Sequence, residues 1–124
     1  MNDPLRSDVL IIGCGIGGGT AALALAEAGL RVTIVTRAEQ PEESNTLWAQ
    51  GGIIFEGEED SPELLARDIL NAGAGLCRDE AVHMLAKAGP ALVQSILIDK
   101  LQVPFDRHPD GRLALGREGG HSVA

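Results

Sequence analysis

Six residues near the start of the chain, Gly13-Cys14-Gly15-Ile16-Gly17-Gly18, have the types and spacing to hold a dinucleotide pyrophosphate. Gly13 lets the chain turn sharply. Gly15, without a Cβ, lets the backbone approach a phosphate closely, and Gly18 lets a following helix pack tightly on a sheet. Unpaired N–H groups and the positive end of that helix would then face the negative pyrophosphate. A second chemically loaded stretch is Ser44-Asn45-Thr46-Leu47-Trp48-Ala49-Gln50-Gly51-Gly52. A flavin ring needs donors and acceptors along its pyrimidine edge, an apolar surface on its face and close backbone approach near its reactive edge. Ser44, Asn45, Thr46 and Gln50 can provide the first, Leu47 and Trp48 the second, and Gly51 with Gly52 the third. A polar loop around a buried Trp is the competing reading.

The elements around the glycines give the motif its weight. Val9-Leu10-Ile11-Ile12 is a short, continuously apolar run, as expected for a parallel strand buried on both faces. An alanine- and leucine-rich helix is expected from Thr20 to Ala28, with Gly29 at the position of a C′ glycine. Val32-Thr33-Ile34-Val35 supplies the returning strand. This strand–turn–helix–strand order predicts an α/β fold, a Rossmann-type βαβ unit, rather than an ordinary glycine-rich turn. The motif leaves the dinucleotide open. An acidic residue after the second strand would hold the adenosine ribose, but Thr36-Arg37 stands there, with Glu39 two residues further on. Arg37 is compatible with the ribose phosphate of NADP and equally with a flavin site in which other groups hold adenine and ribose.

Composition excludes several classes. Eighteen acidic against ten basic residues give a net charge of −8, and there are two Phe, one Trp and no Tyr. Nucleic-acid binding needs a basic footprint and aromatic stacking platforms, so it is not expected. No apolar run in the sequence approaches the roughly 18 residues needed to span a bilayer, and Met1-Asn2-Asp3-Pro4-Leu5-Arg6 has no secretory apolar segment. A soluble cytoplasmic protein is expected, with no membrane partner. Cys14 and Cys77 form no CxxC pair and read as reduced, small, buried residues. His83, His108 and His121 are too scattered to make a metal site by spacing. A doubly wound domain normally has about five or six strands. Two strands with one crossover helix make too narrow a sheet, so an incomplete domain is expected, the N-terminal piece of a larger protein.

The rest of the chain reads as helices followed by a short hairpin. Ile53-Ile54-Phe55 suggests a short strand, and Glu56 to Asp60 a solvated acidic loop. Ser61 is a good N-cap with Pro62 at the first helical position, opening a helix to about Ala72 with Leu65, Ile69 and Ala72 as its apolar stripe. Asp79-Glu80 opens a second helix to about Lys87, interrupted by Gly89-Pro90. A third helix carries Leu92, Val93, Ile96, Leu97 and Leu101 as a core-facing stripe. Val103 to Asp106 and Arg112 to Leu115 are strand candidates around the turn His108-Pro109-Asp110-Gly111. His108 is then a solvated loop-tip residue, and His83 lies on a helix face.

Taken together, four segments resemble the L-aspartate oxidase branch of the succinate dehydrogenase and fumarate reductase flavoprotein family. They are Gly13-Cys14-Gly15-Ile16-Gly17-Gly18, Asn45-Thr46-Leu47-Trp48-Ala49-Gln50-Gly51-Gly52-Ile53, Ala72-Gly73-Ala74-Gly75-Leu76-Cys77 and Arg117-Glu118-Gly119-Gly120-His121-Ser122. The resemblance runs over essentially the whole chain but only over the N-terminal part of the family's length. It implies an FAD-binding domain of Rossmann type, interrupted by a capping domain and followed by a helical domain. The implied reaction oxidises L-aspartate to iminoaspartate, the first step of de novo NAD synthesis. FAD accepts the hydride, oxygen or fumarate reoxidises it, and quinolinate synthase is the functional partner.

Carried over by position, Gly13, Cys14, Gly15, Ile16, Gly17 and Gly18 would cradle the pyrophosphate. Arg37 would take the family's basic position near the adenosine, which decides against NADP. Ser44 through Gly52 would line the flavin. Succinate dehydrogenases carry a flavin-linked histidine where this chain has Asn45, which implies noncovalent FAD. Glu118 stands where the dehydrogenases carry an apolar aromatic, and a carboxylate there suits the ammonium group that distinguishes aspartate from succinate. His121 would help orient this region. The resemblance places the catalytic arginine and the other carboxylate-binding residues beyond Ala124, so the chain alone is expected to be inactive. Two other readings remain: a different dicarboxylate-oxidising flavoprotein of the same family, and a non-enzymatic dinucleotide-binding module.

Overall fold

The structure, a computed structural model, describes residues 6–49 and 52–124. They fall into two compact units, Met1–Gly51 and Gly52–Ala124. The first is a parallel βαβ unit. Strand β1 (Val9–Ile12) leads into helix α1 (Ile16–Glu27), which returns the chain to strand β2 (Val32–Val35). The strands pair in parallel with Val9 opposite Val32 and Ile12 opposite Val35.

That register is pinned at the strand starts by an ion pair that the apolar patterning does not reveal. Asp8 Oδ1 accepts from Arg31 Nη2 at 2.9 Å, and Asp8 Oδ2 accepts from the Arg31 backbone N–H at 2.8 Å. The Asp8 N–H in turn donates to the Arg31 carbonyl at 2.8 Å. These bonds hold the Asp8 carboxyl down from its ordinary 3.8 to about 2, the Arg31 side chain being the largest cause.

Helix α1 begins four residues earlier than alanine and leucine content suggests, at Ile16, so three glycines lie inside its first turn or just after it. It ends as expected. Gly29 has φ 83°, its N–H donates to the Ala26 carbonyl at 3.0 Å, and Leu30 N–H reaches the Leu25 carbonyl at 3.1 Å. This pair of bonds closes the helix in a Schellman turn. One expectation for β1 fails. Its side chains alternate between half-buried and exposed, and Ile12 is 84 % exposed. Among the described residues of this unit, α1 packs on the strand pair and no second helix or strand does, so burial on both faces is not met.

The second unit packs two helices. Helix α2 (Pro62–Ala72) is started by Ser61, whose Oγ accepts from Leu64 N–H at 3.1 Å, with Pro62 at the first helical position. Both features are as read from the sequence. Leu65 and Ala66 of α2 are buried against Val82 and Ala86 of helix α3 (Asp79–Leu92), with Ile54, Ile69, Leu70 and Cys77 packed around them. Ala72, by contrast, is exposed. Emptying the Leu65 position is expected to cost about 2–5 kcal/mol by the usual range for a core Leu→Ala change.

Gly89-Pro90 does not break the helix. α3 runs through both residues and continues directly as a π-helical segment, Val93–Lys100. Proline removes one N–H and crowds the carbonyl four residues back. The ladder resumes just beyond it, with Val93 N–H donating to the Gly89 carbonyl, and Pro90 is itself buried. Farther on, Leu101 N–H reaches back five residues to the Ile96 carbonyl at 2.9 Å. The wider turn dissolves the expected stripe. Val93 is buried, Ile96 and Leu97 are half-buried, and Leu92 and Leu101 are exposed.

The fused helix Asp79–Lys100 is, by length and composition alone, long and apolar enough to cross a membrane. The expectation drawn from the apolar runs concerns unbroken apolar stretches and does not consider a helix carried through Gly89-Pro90. Its buried residues Val82, Ala86, Pro90 and Val93 recur every three or four positions, so one stripe of it is packed against the rest of the unit.

Two strand expectations are also corrected. Residues 53–55 form no strand: Ile54 packs on the helix core, but β-favouring side chains without a ladder partner do not make a sheet. The C-terminal hairpin shrinks to a single antiparallel bridge, Arg107 with Leu113. His108 N–H donates to the Arg112 carbonyl at 2.8 Å and Ala114 N–H to the Asp106 carbonyl at 2.9 Å, and Gly111 takes φ 88° in the turn. Pro104 has no N–H to extend the ladder.

Candidate functional site

At the end of β1 the chain leaves the sheet through Gly13, at φ 104°, whose N–H still donates to the Val35 carbonyl of β2 at 2.8 Å. Gly15 is the N-cap of α1, and the first intrahelical bond runs from Gly19 N–H to the Gly15 carbonyl at 2.9 Å. The amides of Ile16, Gly17 and Gly18 therefore have no partner inside the helix. Gly15 has no side chain with which to cap this end, and no acidic residue lies in the first turn. The positive end of α1 is left to an anion from outside.

The glycines differ in what they do. A Cβ on Gly18 would overlap the carbonyl oxygen of Gly13 and come within 3.3 Å of Ile11 Cγ2. Gly18 is thus the residue that lets α1 sit directly on the β1 turn. A Cβ on Gly15 would meet Thr46 Oγ1 at 3.1 Å, whereas a Cβ on Gly17 would meet nothing within 4 Å. Gly17 presents an open backbone, and its N–H and that of Gly18 are available to a phosphate. These glycines form a cradle that side chains would fill, and a dinucleotide pyrophosphate suits it.

The second loaded segment folds back onto this loop. The Ile16 N–H donates to Thr46 Oγ1 at 2.9 Å across thirty positions of sequence. Ser44 lies beside the same glycine, its Cβ and Oγ each 3.8 Å from a Cβ placed on Gly15. Cys14 Sγ donates to the Pro41 carbonyl, which anchors the chain just ahead of Ser44. Residues 44–49 are irregular, as expected, and their successive turns include Leu47 N–H to the Ser44 carbonyl at 3.1 Å. Asn45, Leu47 and Ala49 are exposed, and Trp48 is 77 % exposed rather than buried in a polar loop. Gly52 is exposed, while Gln50 and Gly51 lie outside the described residues. Arg37 is exposed immediately beyond β2. Cys14 and Cys77 are free and half-buried.

In the second unit, Glu118 is exposed at the start of a turn closed by His121 N–H donating to the Glu118 carbonyl at 3.1 Å. Arg117 Nε donates to the His121 carbonyl at 3.0 Å. His108 is exposed, and His83 is exposed with its Nδ1 2.8 Å from the Asp79 carbonyl.

Asp68 is absent from the candidates read in the sequence. It is 5 % exposed, yet it lies in the apolar stripe of α2, three residues after Leu65. Its two carboxylate oxygens accept from Ser122 N–H at 2.5 Å and Ser122 Oγ at 2.7 Å. Those bonds, the hydroxyl first, lower its pKa. The signal that could have found it is a carboxylate inside a helical apolar stripe, since a buried charge requires a partner.

The FAD binding domain family model matches residues 8–124. The chain belongs to that family. As an FAD-binding domain chain, it is 46 % identical over 124 residues to the L-aspartate oxidase of Halobacterium salinarum, covering all of this chain and 24 % of that protein. It is 44 % identical over 118 residues to the L-aspartate oxidase of Streptomyces coelicolor, covering 94 % of this chain and 20 % of that one. The FAD-domain chain thus spans about a quarter or less of the relatives' length. Among solved structures, Mycobacterium smegmatis Sdh1 in complex with UQ1 matches with a TM-score of 0.84 at 28 % identity, over 94 % of this chain and 20 % of that one. A variant of E. coli quinol fumarate reductase FrdA matches with a TM-score of 0.83 at 27 % identity, over 96 % and 20 %. The small α/β arrangement described above is therefore that of the FAD-binding region of these flavoproteins, and FAD is the cofactor of the domain.

Proposed function

We propose that this chain is the N-terminal part of the Rossmann-type FAD domain of an L-aspartate oxidase. The observation that carries the reading is likeness to proteins of that name along the full chain, well above the likeness to the succinate dehydrogenase and fumarate reductase structures. The reaction would be oxidation of L-aspartate to iminoaspartate, with oxygen or fumarate as final acceptor. Its place is the cytoplasm, with quinolinate synthase consuming the unstable imine.

The residues divide the work by chemistry. Gly17 and Gly18 offer backbone N–H groups to the pyrophosphate, with the α1 dipole behind them, while Gly13 and Gly15 keep the approach clear. Cys14 and Thr46 hold the loop in that shape through their bonds to Pro41 and Ile16. Arg37 offers a cation near the adenosine end. Ser44, Asn45 and Gln50 supply polar edges to the flavin, Leu47, Trp48 and Ala49 an apolar face, and Gly51 and Gly52 close backbone approach. When bound, FAD supplies the hydride acceptor that no protein side chain can provide. Glu118 pairs with the substrate ammonium and so helps orient the Cα–H bond. Asn45 has no imidazole nitrogen to attach to the ring, so the cofactor is held noncovalently.

Two measurements on the natural full-length protein test the reading. Acid precipitation is expected to release all of the flavin into the supernatant; flavin remaining with the polypeptide would contradict the role given to Asn45. Glu118→Gln is expected to weaken L-aspartate about tenfold or more while changing succinate and fumarate little, the scale of one lost charge-assisted pair. Equal losses for all three ligands would favour the second reading, a different dicarboxylate flavoprotein of the family.

A further inference from the structure

We propose that Asp68 is a positioning residue for Glu118, and so sets the selectivity for an α-amino dicarboxylate over a plain dicarboxylate. The inference rests on the ammonium-binding reading of Glu118. Asp68 grips Ser122 with both carboxylate oxygens, at 2.5 Å to the backbone N–H and 2.7 Å to the hydroxyl. Ser122 is four residues from Glu118, and the intervening turn is closed by His121 N–H to the Glu118 carbonyl and by Arg117 Nε to the His121 carbonyl. Gly120, at φ 98°, packs this turn against α2, where a Cβ would lie 3.4 Å from that of Ala72. A chain of short bonds thus runs from a buried carboxylate on a packed helix to the backbone of an exposed glutamate.

Chemistry explains why this anchor is charged. An exposed Glu has several rotatable bonds, and an ion pair it makes with a ligand is weak unless its backbone is held. Serine presents two donors on adjacent atoms, and an ionised carboxylate accepts both with charge-assisted strength. Without Asp68 the turn 118–122 would lose its attachment to α2, and Glu118 would sample positions in which it cannot meet the ammonium. Aspartate would then lose more than succinate, which makes no such contact.

The experiment uses the natural full-length protein loaded with FAD and compares Asp68→Ala, Ser122→Ala and Glu118→Gln, singly and in combination with Glu118→Gln. KM and kcat are measured for L-aspartate, and the dissociation constant of succinate is measured by calorimetry, which requires no turnover. Asp68→Ala is expected to raise the aspartate KM about tenfold, with succinate affinity changing less than about twofold, the scale of one or two lost charge-assisted bonds. Ser122→Ala removes only the hydroxyl bond and is expected to shift the same ratio about threefold, and it decides the matter if Asp68→Ala does not fold. In the Glu118→Gln background both changes should lose most of their effect on aspartate, because they act through Glu118. Equal losses for both ligands, or full additivity with Glu118→Gln, would overturn the positioning role while leaving the reading of Glu118 intact. If Glu118→Gln alone shows no aspartate selectivity, the functional reading fails and the proposal fails with it.

Discussion

Gly18 and Gly17 are adjacent, yet the loop needs each for a different reason. A methyl group at Gly18 would run into the Gly13 carbonyl, so Gly18→Ala must push α1 away from the β1 turn. A methyl at Gly17 would meet nothing within 4 Å. Gly18→Ala is therefore expected to lower both thermal stability and FAD affinity, the latter by about tenfold or more, the scale of misplacing a phosphate-binding backbone. Gly17→Ala should raise stability slightly, by about 0.4–1 kcal/mol through better helix propensity, while weakening FAD. Thermal unfolding of the cofactor-free protein and fluorescence titration with FAD measure the two effects, and equal behaviour of the variants would refute the distinction. The sequence made the glycines legible through local spacing. It could not reveal that Thr46 satisfies the Ile16 amide, because that bond joins positions thirty apart. Asp68 was hidden for a related reason: its partner, Ser122, is 54 residues away.

At the scale of elements, signals that act within one turn were readable. Ser61 caps α2 and Gly29 ends α1, each through bonds spanning no more than five residues. Ser61→Ala is expected to destabilise the second unit by about 1 kcal/mol, the usual worth of an N-cap, as measured by urea denaturation. A change below about 0.3 kcal/mol would mean that another group takes over the Leu64 amide. Signals that depend on a neighbour were misread. Gly89-Pro90 has the local chemistry of a helix break, but packing of Val82, Ala86, Pro90 and Val93 outweighs the roughly 3 kcal/mol that a proline costs inside a helix. Ile53-Ile54-Phe55 has strand-like side chains, but a strand exists only where another chain segment supplies its ladder.

Across the whole molecule, acidic residues outnumber basic ones, and those with specific partners make stability depend on pH. Asp8, Asp68 and Asp110 all have lowered pKa values, through bonds from Arg31, Ser122 and Arg112 respectively. A carboxyl that is more acidic folded than unfolded stabilises the fold above its unfolded pKa and loses that contribution as pH falls toward its folded pKa. For Asp8 the window runs from 3.8 down to about 2. Asp8→Asn should accordingly flatten the fall in stability across that window and change the slope little near neutral pH. Because the pair is exposed, the difference should shrink in high salt. Unfolding followed by circular dichroism at several pH values checks this, and parallel curves for the two proteins would count against it.

The sequence by itself determined the βαβ order, the positions of β1 and β2, the C-terminal end of α1, the N-cap of α2 and the glycine loop, because each depends on propensities and bonds within a few residues. It also carried the likeness that identifies an FAD domain. Only the tertiary structure decided which strand faces are covered, that α3 passes through Pro90, that Thr46 closes on the glycine loop, and that Asp68 holds the turn bearing Glu118. Those outcomes depend on groups brought together from distant parts of the chain. Their energies come from packing and desolvation, and local sequence does not record them.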